Sequence, residues 1–452
     1  MPEEARTTAV DQVRELQRTL YRAAKADPKR RFHALYDKVY RRGVMARAWD
    51  QVRRNRGAGG IDRMTLADVE AYGVSRMLDE LATDLREGQY RALPGRRVWI
   101  PKPGTEERRP LSIPAVRDRV VQAALKIVIE PIFEADFLPC SFGFRPKKAA
   151  QDALQVLIDE AWRGHRWVVE TDIAGCFEAI PHDRLMTVIK QRVCDRRILK
   201  LLRALLQTGV MEEGVVWHSE TGTPQGGVVS PLLANVYLNQ LDRAWQRRGC
   251  GALCRYADDL VVMCKSRQEA EQALAVLQKI LAELGLTLKE AKTRIVHLWE
   301  GGVGIDFLGF QHRWVRGRAQ RARHLTFLAR WPSRQAMQAT RDRIRELTSR
   351  KRLLLPVEEV VGDVNLFLRG WAGYFRYGNS ARHFHKIRQY ALSRLAIFVA
   401  NRHKKPTKYG WKSAVYLSPN NLSLINLNGS VVAPRPNRPW RVKPNAGGEG
   451  RR

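Results

Sequence analysis

The chain has 452 residues, 44% of them apolar, which excludes a disordered or low-complexity class and suits about three domains of roughly 150 residues each. No run of about 18 apolar residues occurs, and the opening MPEEARTTAV lacks the basic-then-apolar pattern of a signal peptide, so a cytosolic protein is expected. Lys and Arg number 79 against 46 Asp and Glu, a net charge of +33, and such an excess repels itself unless a polyanion relieves it.

Residues 1–54 read as helices, with Val13, Leu16 and Leu20 and then Phe32, Leu35 and Val39 at helical spacing. The Gly-rich segment from Asn55 to Asp62 breaks the chain, and a further helix ends near Gly88. Alternation around Val98 and Ile100 predicts a strand, a Pro/Gly turn and a second strand between Arg96 and Pro114. A helix is expected from Arg119 to Glu130, closed by Pro131. Residues 167–173 read as a strand that carries Asp172 near its end, and 182–208 as helix. After the loop GTPQGGVVSP, Pro231 opens a long helix to about Arg248. Cys254 to Cys264 reads as strand, tight turn, strand, and Gln268 to Leu284 as helix. Two β-like stretches follow, Leu286 to Leu298 and Gly304 to Arg313.

Beyond about residue 333 the chain turns helical and basic. Val357, Val360, Val361, Val364, Phe367, Trp371 and Tyr374 form a core-facing stripe. The tail 401–452 holds eleven Lys and Arg and one acid, Glu449, and is expected to be loosely ordered from about Arg435. No repeat of fixed period is present. The six cysteines, Cys140, Cys176, Cys194, Cys250, Cys254 and Cys264, complete no zinc pattern and are expected as reduced, mostly buried thiols.

The chemistry lies in the carboxylates. Asp258 and Asp259 sit between apolar strand-like runs, where adjacent like charges are costly without a cation. Asp also tolerates turns, so the pair alone could be a plain hairpin turn. Asp172 ends another apolar strand. Acids from two strand ends can converge on a shared pair of Mg²⁺ ions, the chemistry of nucleotidyl transfer.

The motifs TDIAGCFEAIPHDRL, GTPQGGVVSPLLANVYLNQLD, YADDLVV, LGLTLKEAKTRIVHL and GIDFLGF occur in the order and spacing of reverse transcriptases. RGAGGIDRMT and IPKPGTEERRPLSIP precede them, and LFLRGWAGYFRYGNS resembles the thumb of intron-encoded enzymes. Over about residues 30–400 the chain resembles a group II intron-encoded reverse transcriptase/maturase of the endonuclease-lacking bacterial type. The resemblance implies an α/β right-hand polymerase (fingers and palm) followed by an α-helical thumb (maturase domain X). The boundaries expected are 1–54 for an N-terminal helical extension, 55–330 for fingers and palm, 331–402 for the thumb and 403–452 for a basic tail.

It also implies roles. Asp172, Asp258 and Asp259 are the catalytic acids. With the Ile173 carbonyl they bind two Mg²⁺ ions, for which Mn²⁺ can substitute. Lys102 and Arg109, with Arg96 as a weaker candidate, contact the triphosphate; Phe177 is an aromatic gate against a 2′-OH; Gln225 lies against the templating base. Asn55, Arg56 and Gly57 belong to a segment that lids the template. Arg341, Arg345, Arg382 and Arg388 lie on helices that track nucleic acid. The partners implied are an RNA template such as group II intron RNA, a DNA primer or target, and dNTPs, without a membrane, and binding should weaken steeply with salt.

With no Cys after Cys264, a paired-Cys HNH nuclease is expected to be lacking. Alternatives left open are a domesticated relative in phage defence or DNA repair, a CRISPR-associated or diversity-generating enzyme, and a protein that is chiefly an RNA-binding splicing maturase. A viral-type RNA polymerase shares the palm, but the aromatic at Phe177 argues against it.

Overall fold

The structure is a computed structural model that describes residues 3–101, 108–212, 215–217, 221–222, 226–317, 320, 323–418 and 421–432. The tail expected to be loosely ordered from Arg435 lies outside them. Helical apolar spacing builds α1 (Glu3–Ala26), α2 (Tyr36–Val39) and α3 (Arg42–Arg54), which bury Val13, Leu20, Val39, Met45 and Trp49. A capping box between Thr65 and Asp68 starts α4 (Leu66–Tyr72), and α5 (Val74–Glu87) stops at Gly88. The φ of Gly88, +79°, suits a residue without a side chain.

The predicted hairpin is present: β1 (Gly95–Pro101) runs antiparallel to β2 (Arg108–Ile113), with Arg96 opposite Ile113. Then come α6 (Val116–Glu134), α7 (Ala150–Trp162), β3 (Trp167–Asp172), α8 (Cys176–Ala179), α9 (His182–Lys190) and α10 (Arg196–Gln207). Short strands β4 (Val210–Glu212) and β5 (Val215–Trp217) precede α11 (Ser230–Arg248). The hairpin β6 (Ala252–Tyr256) and β7 (Asp259–Cys264) leads to α12 (Arg267–Glu283) and β8 (Arg294–His297). Next are β9 (Ile305–Phe307), β10 (Phe310–Arg316) and β11 (Thr326–Pro332). The helical end comprises α13 (Arg334–Leu347), α14 (Val357–Phe375), α15 (Ala381–Arg402) and α16 (Thr407–Trp411). Sheet orders are β2-β1-β4-β5, β6-β7-β3-β8 and β11-β10-β9.

Three expectations are corrected. Pro131 lies inside α6 rather than closing it. Pro lacks the N–H that would bond Ile127 O four residues back, and that carbonyl instead accepts from Gln17 Nε2 at 3.1 Å. The stretch 182–208 is two helices, because Asp195 caps the second. Its carboxylate accepts from Arg197 N and Ile198 N, and also from Leu35 N and Tyr36 N at 2.9 Å, which fixes the break. The cysteines are all thiols, but only Cys176, Cys254 and Cys264 are buried; the other three are half-buried.

The residues cluster into two units: 1–149, 171–261 and 271–293 form the first, and 150–170, 262–270 and 294–452 the second. The first contains α1–α6, the hairpin of β1 and β2, the ends of β3 and β6–β7 that carry acids, and α11. The second contains the sheet of β9–β11 and the C-terminal helices. There the stripe on α14 buries Val360, Val361, Val364 and Trp371, with Leu368 and Phe375 beside them. Among the described residues no helix is long and apolar enough to cross a membrane.

His312 is wholly buried in the second unit, and burial with the nearby Arg330 charge pulls its pKa down to about 3. The folded protein thus refuses a proton that the unfolded chain accepts below about 6.5. This stability is complete above that pH and is lost as pH falls towards 3. Urea midpoints measured across pH 7 to 4 are expected to drop, with His312 contributing at most about 1.4 kcal/mol per pH unit. His312→Phe should flatten that part of the curve; an unchanged slope would show that other groups set it.

Candidate active site

Strand β3 delivers Asp172 to a buried strand end, and the left-handed Ala257 (φ +57°) turns β6 into β7 so that Asp258 and Asp259 stand at the tip. The main chains meet there. Ile173 N donates to Asp258 O at 3.2 Å, Lys289 N to Asp172 O at 2.8 Å, and Ala174 N to Thr287 O at 2.9 Å. Asp172 and Asp258, 86 positions apart in the chain, are thereby held side by side.

The electrostatics follow from the crowding. Burial raises the Asp258 carboxyl above the usual carboxylate range, the charge of Asp172 adds to this, and Lys292 and Arg109 partly oppose it. Burial, then Asp258 and Asp172, push the Cys176 thiol up to about 12, so this buried cysteine stays protonated and inert. The positive counterpart is Lys292, which a 3₁₀ turn at Glu290–Lys292 presents to the acids. Its Nζ lies 2.6 Å from Asp172 Oδ2. Burial lowers the Lys292 ammonium, but the bond to Asp172 and the charges of Asp172, Asp259 and Asp258 raise it overall. Sequence reasoning assigned Lys292 no role. The signal available was its place in LGLTLKEAKTRIVHL, joined to the rule that buried acids require a cation.

The donor set suits a hard divalent ion. Asp172 Oδ1 is buried, and among the described residues no donor reaches it. A second carboxylate, Asp258, is raised by burial and then by its neighbour's charge, a repulsion that a cation removes. Among the described residues, no three His, Cys, Asp or Glu side chains stand close enough to hold an ion between them. The cation that Asp172 meets here is the Lys292 ammonium.

Other expected residues divide. Phe177, half-buried on α8, packs edge-on against Phe144 with ring centroids 6.4 Å apart. Arg109 is exposed on β2 and its charge reaches Asp258. Lys102 and Gln225 lie outside the described residues, although the adjacent Gly226 packs so closely on Ser112 O that a Cβ would meet it at 2.3 Å. Arg96 is engaged elsewhere: its Nε and Nη2 donate to Gly59 O at 3.2 and 2.8 Å. Arg119 of α6 donates to Ala58 O and Pro114 O, so these two arginines tie Ala58 and Gly59, which follow Asn55, Arg56 and Gly57, to β1 and the start of α6.

In the second unit, Arg341, Arg382 and Lys386 surround His383, which stacks on Trp331 at 6.0 Å. Burial first, then those three charges, pull His383 down to about 4. Arg345 pairs with Asp342 at 2.8 Å. Arg388 is half-buried, and among the described residues its Nε has no hydrogen-bond partner.

Comparison with known proteins gives the family of the chain. The reverse transcriptase (RNA-dependent DNA polymerase) family matches residues 100–312, and the group II intron, maturase-specific domain matches residues 337–416. Protein YkfC of Escherichia coli (strain K12) is 32% identical over 348 residues, which is 68% of this chain and 90% of that protein. The group II intron-encoded protein LtrA of Lactococcus lactis subsp. cremoris is 36% identical over 213 residues. That alignment covers 47% of this chain and 35% of LtrA. A solved structure, a partial Cas6-RT-Cas1--Cas2 complex, is 25% identical with a TM-score of 0.36 over 55% of this chain and 41% of that one. The chain belongs to the group II intron-type reverse transcriptases, RNA-directed DNA polymerases that carry a maturase domain. Enzymes of this family use divalent metal ions.

Proposed function

We propose that Asp172, the Ile173 carbonyl, Asp258 and Asp259 hold two Mg²⁺ ions with which this chain extends a DNA primer on an RNA template. The observation that carries the reading is the junction of two strand ends at which Ile173 N meets Asp258 O while Asp172 keeps a buried oxygen that no donor among the described residues reaches. When bound, the ions supply Lewis-acid polarisation of the α-phosphate and lower the pKa of the primer hydroxyl. The primer 3′-OH gives its proton to water as its oxygen attacks the α-phosphorus, the bond to the β-phosphate breaks, and pyrophosphate leaves. Arg109, with Lys102, orients the triphosphate and offsets its charge. Gln225 and its glycine neighbours support the base pair being formed.

Phe177 fills the space beneath the sugar, so a 2′-OH has no room. Phe177→Val is expected to admit ribonucleotides, with deoxy/ribo selectivity falling on the order of ten- to a hundred-fold. The ratio of kcat/KM for dCTP and CTP on one primer–template reads this directly. Selectivity equal to wild type removes Phe177 from the gate.

The maturase domain extends the reading to group II intron RNA, bound for splicing and retrohoming. The cations around His383, Arg341 and Arg382 among them, offer a surface for its phosphates. A cytosolic site of action, where thiols stay reduced, fits the six thiols. The test is primer extension by purified protein on an RNA template with a DNA primer, dNTPs and Mg²⁺. Products that lengthen with Mg²⁺ and cease with a chelator are expected; no extension of any annealed primer would overturn the assignment.

A further inference from the structure

We propose that the buried Arg255–Asp242 pair is a positioning element that holds the Asp258 turn and the Phe144–Phe177 aromatic contact in one fixed geometry. This rests on the reading that Asp172 and Asp258 drive nucleotidyl transfer and that Phe177 gates the sugar.

Arg255 is 0% exposed and Asp242 1%, an ion pair taken wholly out of water. All five N–H donors of the guanidinium are used. Nε and Nη2 grip the two oxygens of Asp242 at 2.8 and 2.5 Å. Nη1 donates to Asn235 Oδ1 at 3.0 Å and to Ala257 O at 3.1 Å, and Nη2 to Ser141 Oγ at 2.8 Å. Ala257 is the left-handed residue immediately before Asp258. One side chain therefore pins the carbonyl of the turn that aims the catalytic acid.

The same residue binds the loop that carries Phe144. Arg255 N donates to Cys140 O at 2.8 Å and Phe142 N to Arg255 O at 2.9 Å. Asn235, already bonded to the guanidinium, passes its Nδ2 to Gly143 O at 2.7 Å. Gly143 approaches the turn so closely that a Cβ there would stand 2.5 Å from Ala257 N. Phe144 follows, itself left-handed (φ +57°) and 52% exposed, with its ring against Phe177. The turn and the aromatic pair thus share one anchor.

A core residue chosen only for stability would not be this one. Well-packed apolar side chains of similar volume are often as stable as a buried ion pair, or more so. What they lack is directed hydrogen bonds, and here those bonds go to Ala257, Asn235 and Ser141. Arg255 touches no reacting atom, so it acts through the backbone it holds.

The test replaces the pair by apolar residues, Arg255→Met with Asp242→Leu, which removes both charges together. Wild type and the double variant are compared on an oligo(dT)-primed poly(rA) template by steady-state kinetics, with thermal melting and primer–template anisotropy as controls. The double variant is expected to melt cooperatively and to bind the primer–template as wild type does. Its kcat should fall on the order of a hundred-fold, the scale of a misplaced reacting group, with KM for dTTP little changed. Its dTTP/UTP selectivity should fall with it, by about ten-fold. A folded double variant with wild-type kcat and selectivity makes the pair a packing device and overturns the proposal. Should the double variant not fold, Ser141→Ala, which deletes one bond and no charge, decides: a drop of about three-fold or more in selectivity or kcat supports the anchor, the scale of one neutral hydrogen bond, and none overturns it. If wild type itself extends no primer, it is the polymerase reading that fails.

Discussion

Asp258→Ala is expected to reduce primer extension by at least about a thousand-fold, corresponding to roughly 4 kcal/mol of transition-state stabilisation. The substitution removes one of the two acids that β3 and the β6–β7 turn bring together. Arg109 and the Lys292 ammonium still bind charge, but neither supplies an oxygen ligand. The fold should survive. Burial and the neighbouring Asp172 already disfavour ionised Asp258, so deleting it relieves repulsion. The melting temperature is therefore expected to hold or rise. RNA binding by anisotropy should also stand, because the cations around His383 proposed to meet RNA phosphates are untouched. Where intron splicing can be assayed, it should persist in this variant. Extension within ten-fold of wild type, in a variant that melts normally, would sink the assignment of Asp258.

Gly143→Ala is the second substitution expected to act strongly, although it adds one methyl group and no charge. The new Cβ would lie 2.5 Å from Ala257 N, 3.0 Å from Tyr256 C and 3.1 Å from Ala257 Cβ. The first two are backbone atoms of the turn before Asp258, so no side-chain rotation relieves the clash. Either the loop or the turn must move, at about 1–3 kcal/mol of stability. A shift of that kind is expected to cost on the order of a hundred-fold in kcat. Gly362→Ala is the control: it is exposed on α14, a Cβ there meets nothing within 4 Å among the described residues, and it should stabilise that helix by up to about 1 kcal/mol. Kinetics and thermal melts on both variants check this; a Gly143→Ala enzyme as fast as wild type would show the approach to be slack.

Much of the site was legible from residue order. Acids inside apolar runs are conspicuous, and both Asp172 and the Asp258–Asp259 tip fall where strand patterns stop. The hairpin of β1 and β2, the start of α11 at Pro231 and the β6–β7 turn all follow from alternation and turn residues within a few positions. Each of these signals is short-ranged. Strand β11 carried too weak an alternation to be expected, and it is defined by its pairing with β10.

The chain order by itself determined the helices and strands with clear periodicity, the basic charge and the candidate acids, because these depend on spacing over a few residues. Only the tertiary structure decided who meets whom. Gln17 satisfies Ile127 and lets α6 run through Pro131; Asp195 reaches Leu35 and splits a helix in two; Lys292 faces Asp172; and Arg255 joins Asp242, Asn235 and Ser141. Such partners satisfy buried polar groups across long stretches of chain, and burial exists only once the chain has packed.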